Sequence, residues 1–349
     1  MNFSSCGYVK KDVLYEYPIE DITQTGKTTA AVEKFDELFT GNILAYNHWR
    51  DIAVYNTTED ISDTTGGYGL YISREGTRQN VSLSLSRFSS ALASESGEVF
   101  FVDRDTSGTQ YVYKTDSAME KRTLLAKGEA GKNVVWCVSE GNTFIYTDKY
   151  NRIKSVIDGK EESLFELPEG YTPVKMRYIE SDGMIMLIAS PINSQVFNLY
   201  RIDTVNKKIS AVDVNVTDMS VVASAKRTAY LKIDSRGQKQ LYVYDHNTVI
   251  RRSVTGGNIE KFTLSPYGGY IAYSQKPSEG GNGSVWVINI RDYTNVQVAA
   301  NTSLSSEIYW EKGERGLIYT QVDTGSDISE KETVDKTYKV TFNYVYTEE

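Results

Sequence analysis

Short runs dominated by bulky apolar residues recur along the chain, each bounded by Gly, Asn, Asp or Ser. IAVYN (52–56), VFFVD (99–103), TFIYT (143–147), IMLIA (185–189), TAYLK (228–232), YIAYS (270–274) and GLIYT (316–320) are copies of one pattern. Their fourth residues, Tyr55, Val102, Tyr146, Ile188, Leu231, Tyr273 and Tyr319, stand 42 to 47 positions apart. A short apolar run between turn-forming residues fits a strand covered on both faces. Its return at a fixed interval marks a repeat architecture.

Other strands flank these runs. NILAY (42–46), NVVWCV (133–138), VKMRYI (174–179) and EIYW (307–310) precede a copy, while YGLYIS (68–73), QYVYKT (110–115), FNLYRI (197–202), QLYVYD (240–245) and VWVINI (285–290) follow one. A weaker fourth segment closes the unit, as in VSLSL (81–85), RTLLA (122–126) and VQVAA (296–300). Four short strands per repeat, seven repeats in all, predict an all-β seven-bladed β-propeller of four-stranded antiparallel blades. One such sheet cannot cover both of its faces, so each blade must pack against its neighbours. Most of the 26 tyrosines fall inside the strands and read as packing residues.

The stretch SPYGGYIAYSQ…GSVWVINI (265–290) resembles the repeat shared by TolB-like propellers and the propeller of the prolyl oligopeptidase family, a PD40-like unit in which a Ser-Pro-Asp-Gly turn precedes an Ile-Ala-Tyr strand. VFFVDRDTSGTQYVYKTD (99–116) and LKIDSRGQKQLYVYD (231–245) resemble the next hairpin of that repeat. Tyr267 stands where the family has Asp, and Ser-Pro-x-Gly occurs in the sixth unit alone. The resemblance implies the fold and leaves the activity open.

A propeller joins its last blade to its first, and the seventh unit supplies EIYW, GLIYT and TYKVTFNYVY (337–346). The alternation in DVLYEYPIE (12–20) makes residues 12–19 the expected outer strand, with Pro18 tolerated at an edge. TAAVEKFDELF (29–39) is expected to hold a short helical turn. Residues 1–35 thus form an arm and closing strand, and residues 36–349 the propeller.

Charge and composition narrow the partners. The net charge is −8, and no cationic block exceeds a pair such as Lys207-Lys208, so nucleic acid is not expected. The longest strongly apolar stretch, MIMLIA (184–189), is far short of a membrane-spanning helix. With two cysteines there is no disulfide framework or CxxC metal site. Cys137 reads as a core residue. FSSCG (3–7) resembles the end of a bacterial lipoprotein signal, with Phe3 where that family usually has Leu, and implies lipidation of Cys6. An extracytoplasmic location, in the cell envelope or secreted, and a monomeric state are expected.

Candidate chemistry is sparse. His48 and His246 fall in distant repeats, whereas propeller lyases of the oligogalacturonate type use a histidine cluster. No G-x-S-x-G elbow or sialidase-like Asp-box occurs. Asp103-x-Asp105-x-Ser107-Gly108 resembles a calcium loop, but Lys114 stands at the glutamate position, so a plain turn is favoured. No catalytic residue, metal or cofactor is assigned.

Insertions are the distinctive feature. NTTEDISDTTGG (56–67), QKPSEGGNG (275–283) and QVDTGSDISEKETVDK (321–336) lengthen the connection between the second and third strands of units one, six and seven, neighbours in a closed ring. The first carries −3 from Glu59, Asp60 and Asp63. The third also carries −3, its acids being Asp323, Asp327, Glu330, Glu332 and Asp335. Loops on a rigid scaffold commonly bind, and a concentrated field attracts the opposite charge. The expected function is a non-catalytic recognition scaffold for a protein or peptide, cationic where it meets these loops. The alternative is a carbohydrate-active lyase or hydrolase with carboxylates in the axial channel.

Overall fold

The computed structural model describes residues 26–58, 67–74, 76–84, 86–116, 121–129, 132–277, 282–324 and 333–348. They form seven four-stranded antiparallel sheets in a ring, the expected seven-bladed propeller. The strand β1 (Gly26–Thr40) belongs to the last blade. Blade one is β2 (Asn42–Asn47), β3 (Ile52–Thr57), β4 (Tyr68–Arg74) and β5 (Thr77–Ser84). Blade two is β6 (Ala91–Ala93), β7 (Val99–Arg104), β8 (Gln110–Thr115) and β9 (Arg122–Lys127), and blade three is β10 (Trp136–Val138), β11 (Phe144–Thr147), β12 (Arg152–Ile157) and β13 (Lys160–Glu166). Blade four is β14 (Thr172–Ile179), β15 (Met184–Ser190), β16 (Asn198–Asp203) and β17 (Lys208–Val214), with a 3₁₀ turn at Glu180–Asp182. Blade five is β18 (Val216–Val222), β19 (Arg227–Ile233), β20 (Lys239–Asp245) and β21 (Arg251–Gly256). Blade six is β22 (Ile259–Leu264), β23 (Tyr270–Gln275), β24 (Gly283–Asn289) and β25 (Asn295–Thr302). Blade seven pairs β26 (Tyr309–Trp310), β27 (Gly316–Thr324) and β28 (Thr333–Glu348) with β1 outermost.

The second strand of each blade carries the repeat because it is covered on both faces. In β15, Ile185, Leu187 and Ala189 pack toward blade three, while Met184, Met186 and Ile188 pack toward blade five. In β23, Ile271 and Tyr273 meet blade five, and Ala272 meets blade seven. Period-two alternation thus serves two interfaces from one strand. First strands of neighbouring blades lie side by side, β2 against β6, β10 against β14 and β18 against β22, so they line the axis. Connections between strands one and two, and three and four, fall on one rim, termed here the turn rim. Those between strands two and three, with the links from blade to blade, fall on the other, the link rim.

The turn that opens blade six shows the local logic. Gly268 N donates to the Ser265 carbonyl oxygen at 2.8 Å, and Tyr270 N donates to Ser265 Oγ at 3.0 Å. Gly268 sits at φ +69°, a left-handed conformation that suits glycine.

The ring is closed by an N-terminal strand in the outer seat of blade seven, as expected, but the strand is residues 26–40. Residues 29–39 are extended within β1 and form no helical turn, because β1 pairs with β28 from Gly26↔Glu348 to Thr40↔Lys336. Two register shifts, between Val32 and Lys34 and between Glu37 and Phe39, break its alternation. The outer seat of blade seven is therefore held by residues 26–40; residues 12–19 lie outside the described residues. The blade-seven insertion is also shorter than expected: Gln321–Thr324 and Thr333–Lys336 remain paired strand, Val322 opposite Asp335 and Asp323 opposite Val334. The β-branched residues in both arms favour that extension.

The seam between blades seven and one has the smallest apolar cluster, with Ile43, Ala53 and Ile318 buried. A directed hydrogen-bond chain supplements it. Ile43 N donates to Thr320 Oγ1 at 2.9 Å, the Thr320 and Thr337 hydroxyls lie 2.7 Å apart, and Thr337 Oγ1 donates to the Gly41 carbonyl at 2.8 Å. Both threonines are fully buried. Tyr309 Oη donates to the Leu44 carbonyl at 2.6 Å, and Arg87 pairs with Asp335 at 2.5 Å.

Candidate functional site

A groove of about 1090 Å³ opens on the link rim, running from blade two to blade four. Its floor is the β11–β12 hairpin, DKYN (148–151). Asp148 Oδ1 accepts from Tyr150 N at 2.9 Å and from Arg152 N at 3.0 Å, which closes the turn with Asn151 at φ +60°. Asn151 Nδ2 donates to the Tyr171 carbonyl at 3.0 Å and ties the hairpin to the next link. Asp-initiated turns with Asn in the left-handed region are locally encoded.

This turn lifts Tyr150 into solvent, 62% exposed, between two cations. Lys149 Nζ and Arg152 Cζ each lie 4.9 Å from its ring centroid. Exposed Leu124 and Val174 form apolar edges on the flanking blades. Lys127, Lys132, Lys149, Arg152 and Lys154 line the groove against Glu129, Asp148 and Glu161, a local excess of two positive charges in a chain of net charge −8. Lys127 and Lys149 have no carboxylate within ion-pair distance among the described residues; Lys127 Nζ instead lies 5.4 Å from the Tyr111 ring centroid.

The carboxylates of the groove are fully engaged. Burial pushes the Asp148 carboxyl up, but hydrogen bonds from the Arg152 side chain and from backbone amides outweigh it and hold the group below its ordinary range. Hydrogen bonds from Lys154 Nζ, at 2.6 Å, and Tyr146 Oη, at 2.5 Å, likewise lower Glu161. A split pair, one carboxyl raised and one lowered, identifies acid and base roles. Asp148 and Glu161 are both lowered.

The histidines stay apart, in the turns of blades one and five. His246 is buried, its Nε2 2.8 Å from Thr228 Oγ1, and burial pushes it down to about 4. Burial also lowers His48. Among the described residues no group of three His, Cys, Asp or Glu side chains could hold a metal ion. Asp105 anchors its own turn: Oδ1 accepts from Ser107 N and Thr109 N, both at 2.9 Å, and Oδ2 from Tyr111 Oη at 3.0 Å. Cys137 is buried, and desolvation pushes its thiol up to about 11.

Glu59, Asp60, Asp63, Asp327, Glu330, Glu332 and Cys6 lie outside the described residues. Asp323 lies in β27, and Asp335 is engaged with Arg87 and with Ser305 Oγ at 2.7 Å. Sequence reasoning missed the groove. Its local signal is the sequence DKYNRIK (148–154), a turn that places one tyrosine among four charged residues.

No protein-family model and no curated relative matches the chain. Solved structures do. An oligogalacturonate lyase in complex with manganese aligns with a TM-score of 0.66 at 12% identity over 91% of this chain and 98% of that one. TolB from Acinetobacter baumannii aligns at 0.50 and 16% identity, over 67% of this chain and 59% of that one. An uncharacterised protein from Listeria monocytogenes aligns at 0.53 and 8% identity, over 80% and 88%. At these identities the likeness shows the fold alone: a TolB-like seven-bladed propeller. The lyase's manganese finds no counterpart donor set here, since the two histidines sit in separate blades and no metal-capable cluster occurs among the described residues.

Proposed function

We propose that this propeller is a non-catalytic recognition module that seats an acidic, extended segment of a protein partner in the link-rim groove. The observation that carries this reading is Tyr150, raised into solvent between Lys149 and Arg152 over an open groove. Exposed aromatic and Arg residues are the side chains most often found to dominate interface energetics. The cationic excess supplies charge complementarity and steering. Lowered carboxyls on Asp148 and Glu161 suit binding better than glycosidic acid–base chemistry, which needs one carboxyl held protonated.

In the same proposal the acidic residues Glu59, Asp60 and Asp63, with Asp323, Asp327, Glu330 and Glu332, take part in recognition as well. In this reading they contact a cationic face of the same partner. The module acts as a monomer outside the cytoplasm, anchored through Cys6. Among the described residues no helix is long and apolar enough to cross a membrane.

Fluorescence anisotropy with a labelled oligoglutamate peptide tests the proposal. Saturable binding that weakens with added salt is expected, and Tyr150→Ala combined with Lys149→Glu should weaken it by about tenfold or more. Absence of binding, or equal binding by the double variant, overturns it. Turnover of an acidic oligosaccharide by the wild-type chain would favour the enzymatic reading instead.

A further inference from the structure

A second concavity opens on the opposite rim and takes no part in the groove. It is a cleft of about 670 Å³ between the β2–β3 turn of blade one and the β26–β27 turn of blade seven. Trp49 stands on its lip, 43% exposed, with its ring edge-on to exposed Tyr267 of blade six at a centroid distance of 6.3 Å. Asn47 sets that lip: its Oδ1 accepts from Trp49 N at 2.9 Å and from Arg50 N at 3.1 Å.

Arg74 lines the wall and is the unusual group. Its Nε and Nη2 are buried and have no hydrogen-bond partner among the described residues. Buried polar atoms are rarely left unpaired, and a buried guanidinium donor without an acceptor carries a substantial desolvation cost. Gly97, at φ +90°, lies against the guanidinium: an added Cβ there would come within 3.0 Å of Arg74 Nη2. His48 Nε2, also in the cleft, is likewise buried and unpartnered.

The charges around it favour an anion. Arg50, Arg74 and Lys312 face Asp51 and Glu311. Both carboxylates already have partners: Asp51 accepts from Tyr46 Oη at 2.7 Å, and Glu311 pairs with Lys339. An arginine fork is matched to oxyanions, and an exposed indole offers a flat apolar face.

From these observations we infer that the turn-rim cleft binds a small ring compound bearing a carboxylate, the carboxylate on the Arg74 fork and the ring against Trp49. The volume is within the range of small-molecule sites. This site stands independently of the proposed groove, on the other face of the ring.

Trp49 is the one tryptophan of the four that is exposed, so its emission reports on the cleft. The wild-type chain is titrated with benzoate and glucuronate, which share a carboxylate on different rings, and with glucose and inorganic phosphate as controls. Saturable quenching or a spectral shift is expected with at least one of the two carboxylates, at an affinity about tenfold or more above both controls. Which of the two binds distinguishes an aromatic from a sugar ring. Arg74→Ala should abolish the response. Arg74→Lys, which keeps the charge but loses the fork, should weaken it by about tenfold or more and guards against a folding defect. Calorimetric heat with the same carboxylate should persist in Trp49→Phe at reduced affinity. No saturable response to either carboxylate, glucose or phosphate binding as tightly, or unaltered affinity in Arg74→Lys overturns the inference.

Discussion

Thr320→Val at the seam is the sharpest test of how the ring is held shut. The substitution is nearly isosteric and removes one hydroxyl. That hydroxyl accepts from Ile43 N at 2.9 Å and lies 2.7 Å from the Thr337 hydroxyl, which itself donates to Gly41. In the variant the buried Ile43 N–H loses its acceptor, a cost of about 1–3 kcal/mol, and the Thr337 oxygen loses a donor, about 1 kcal/mol more. An unfolding entropy of about 2.1 cal/mol/K per residue, over 349 residues, converts a total of about 2–4 kcal/mol into a fall in Tm of about 3–6 °C. Thr302→Val is the matched control. Thr302 is also buried, but its Oγ1 has no hydrogen-bond partner among the described residues, so the same change should be neutral or stabilising. Thermal and urea melts followed by circular dichroism read both variants. Equal shifts for the two, or an unchanged Thr320→Val, would refute the view that this chain closes the ring.

Three further expectations follow from the buried groups. Asp213, 3% exposed in its side chain, receives Lys232 Nζ at 2.8 Å, Arg251 Nη1 at 2.6 Å and Tyr230 Oη at 2.8 Å between blades four and five. Asp213→Ala strands two cations and should cost about 3–5 kcal/mol in a urea melt at neutral pH. Although burial pushes that carboxyl up, Lys232, Tyr230 and Arg251 hold it low, so its contribution is present above about pH 4 and is lost as pH falls through the depressed folded value. His246 is lowered to about 4 by burial, so folding disfavours its protonation. Its contribution is complete above about pH 6.5 and declines toward pH 4, and His246→Gln should flatten that part of the stability profile. Cys137 should resist a thiol reagent in the native state and react on unfolding, as read by mass spectrometry; fast native labelling would contradict its burial.

How much of this was legible in the chain depends on what each segment faces. β15 and β23 announce themselves because both faces are covered, so nearly every residue is apolar and the 42-to-47-residue interval stands out. β1 hides because it is an outer strand with Val32, Phe35 and Leu38 exposed and two bulges, and because Ala, Glu, Lys and Leu are good helix formers. Its pairing with β28 overrides that local preference. The groove was illegible for another reason. Lys127, Tyr150 and Val174 belong to blades two, three and four and share no motif; closing the ring brings them to one rim. The Arg74 cleft is of the same kind, since unpaired donors show only once the neighbours are in place.

Hydrogen exchange on the intact chain, with and without a saturating oligoglutamate peptide, tests the central claim most directly. Recognition by the link-rim groove predicts protection confined to residues 124–135, 146–154 and 171–174, with the β2–β3 turn on the opposite rim unchanged. Protection centred on that opposite turn, or none at all under saturating peptide, would contradict it.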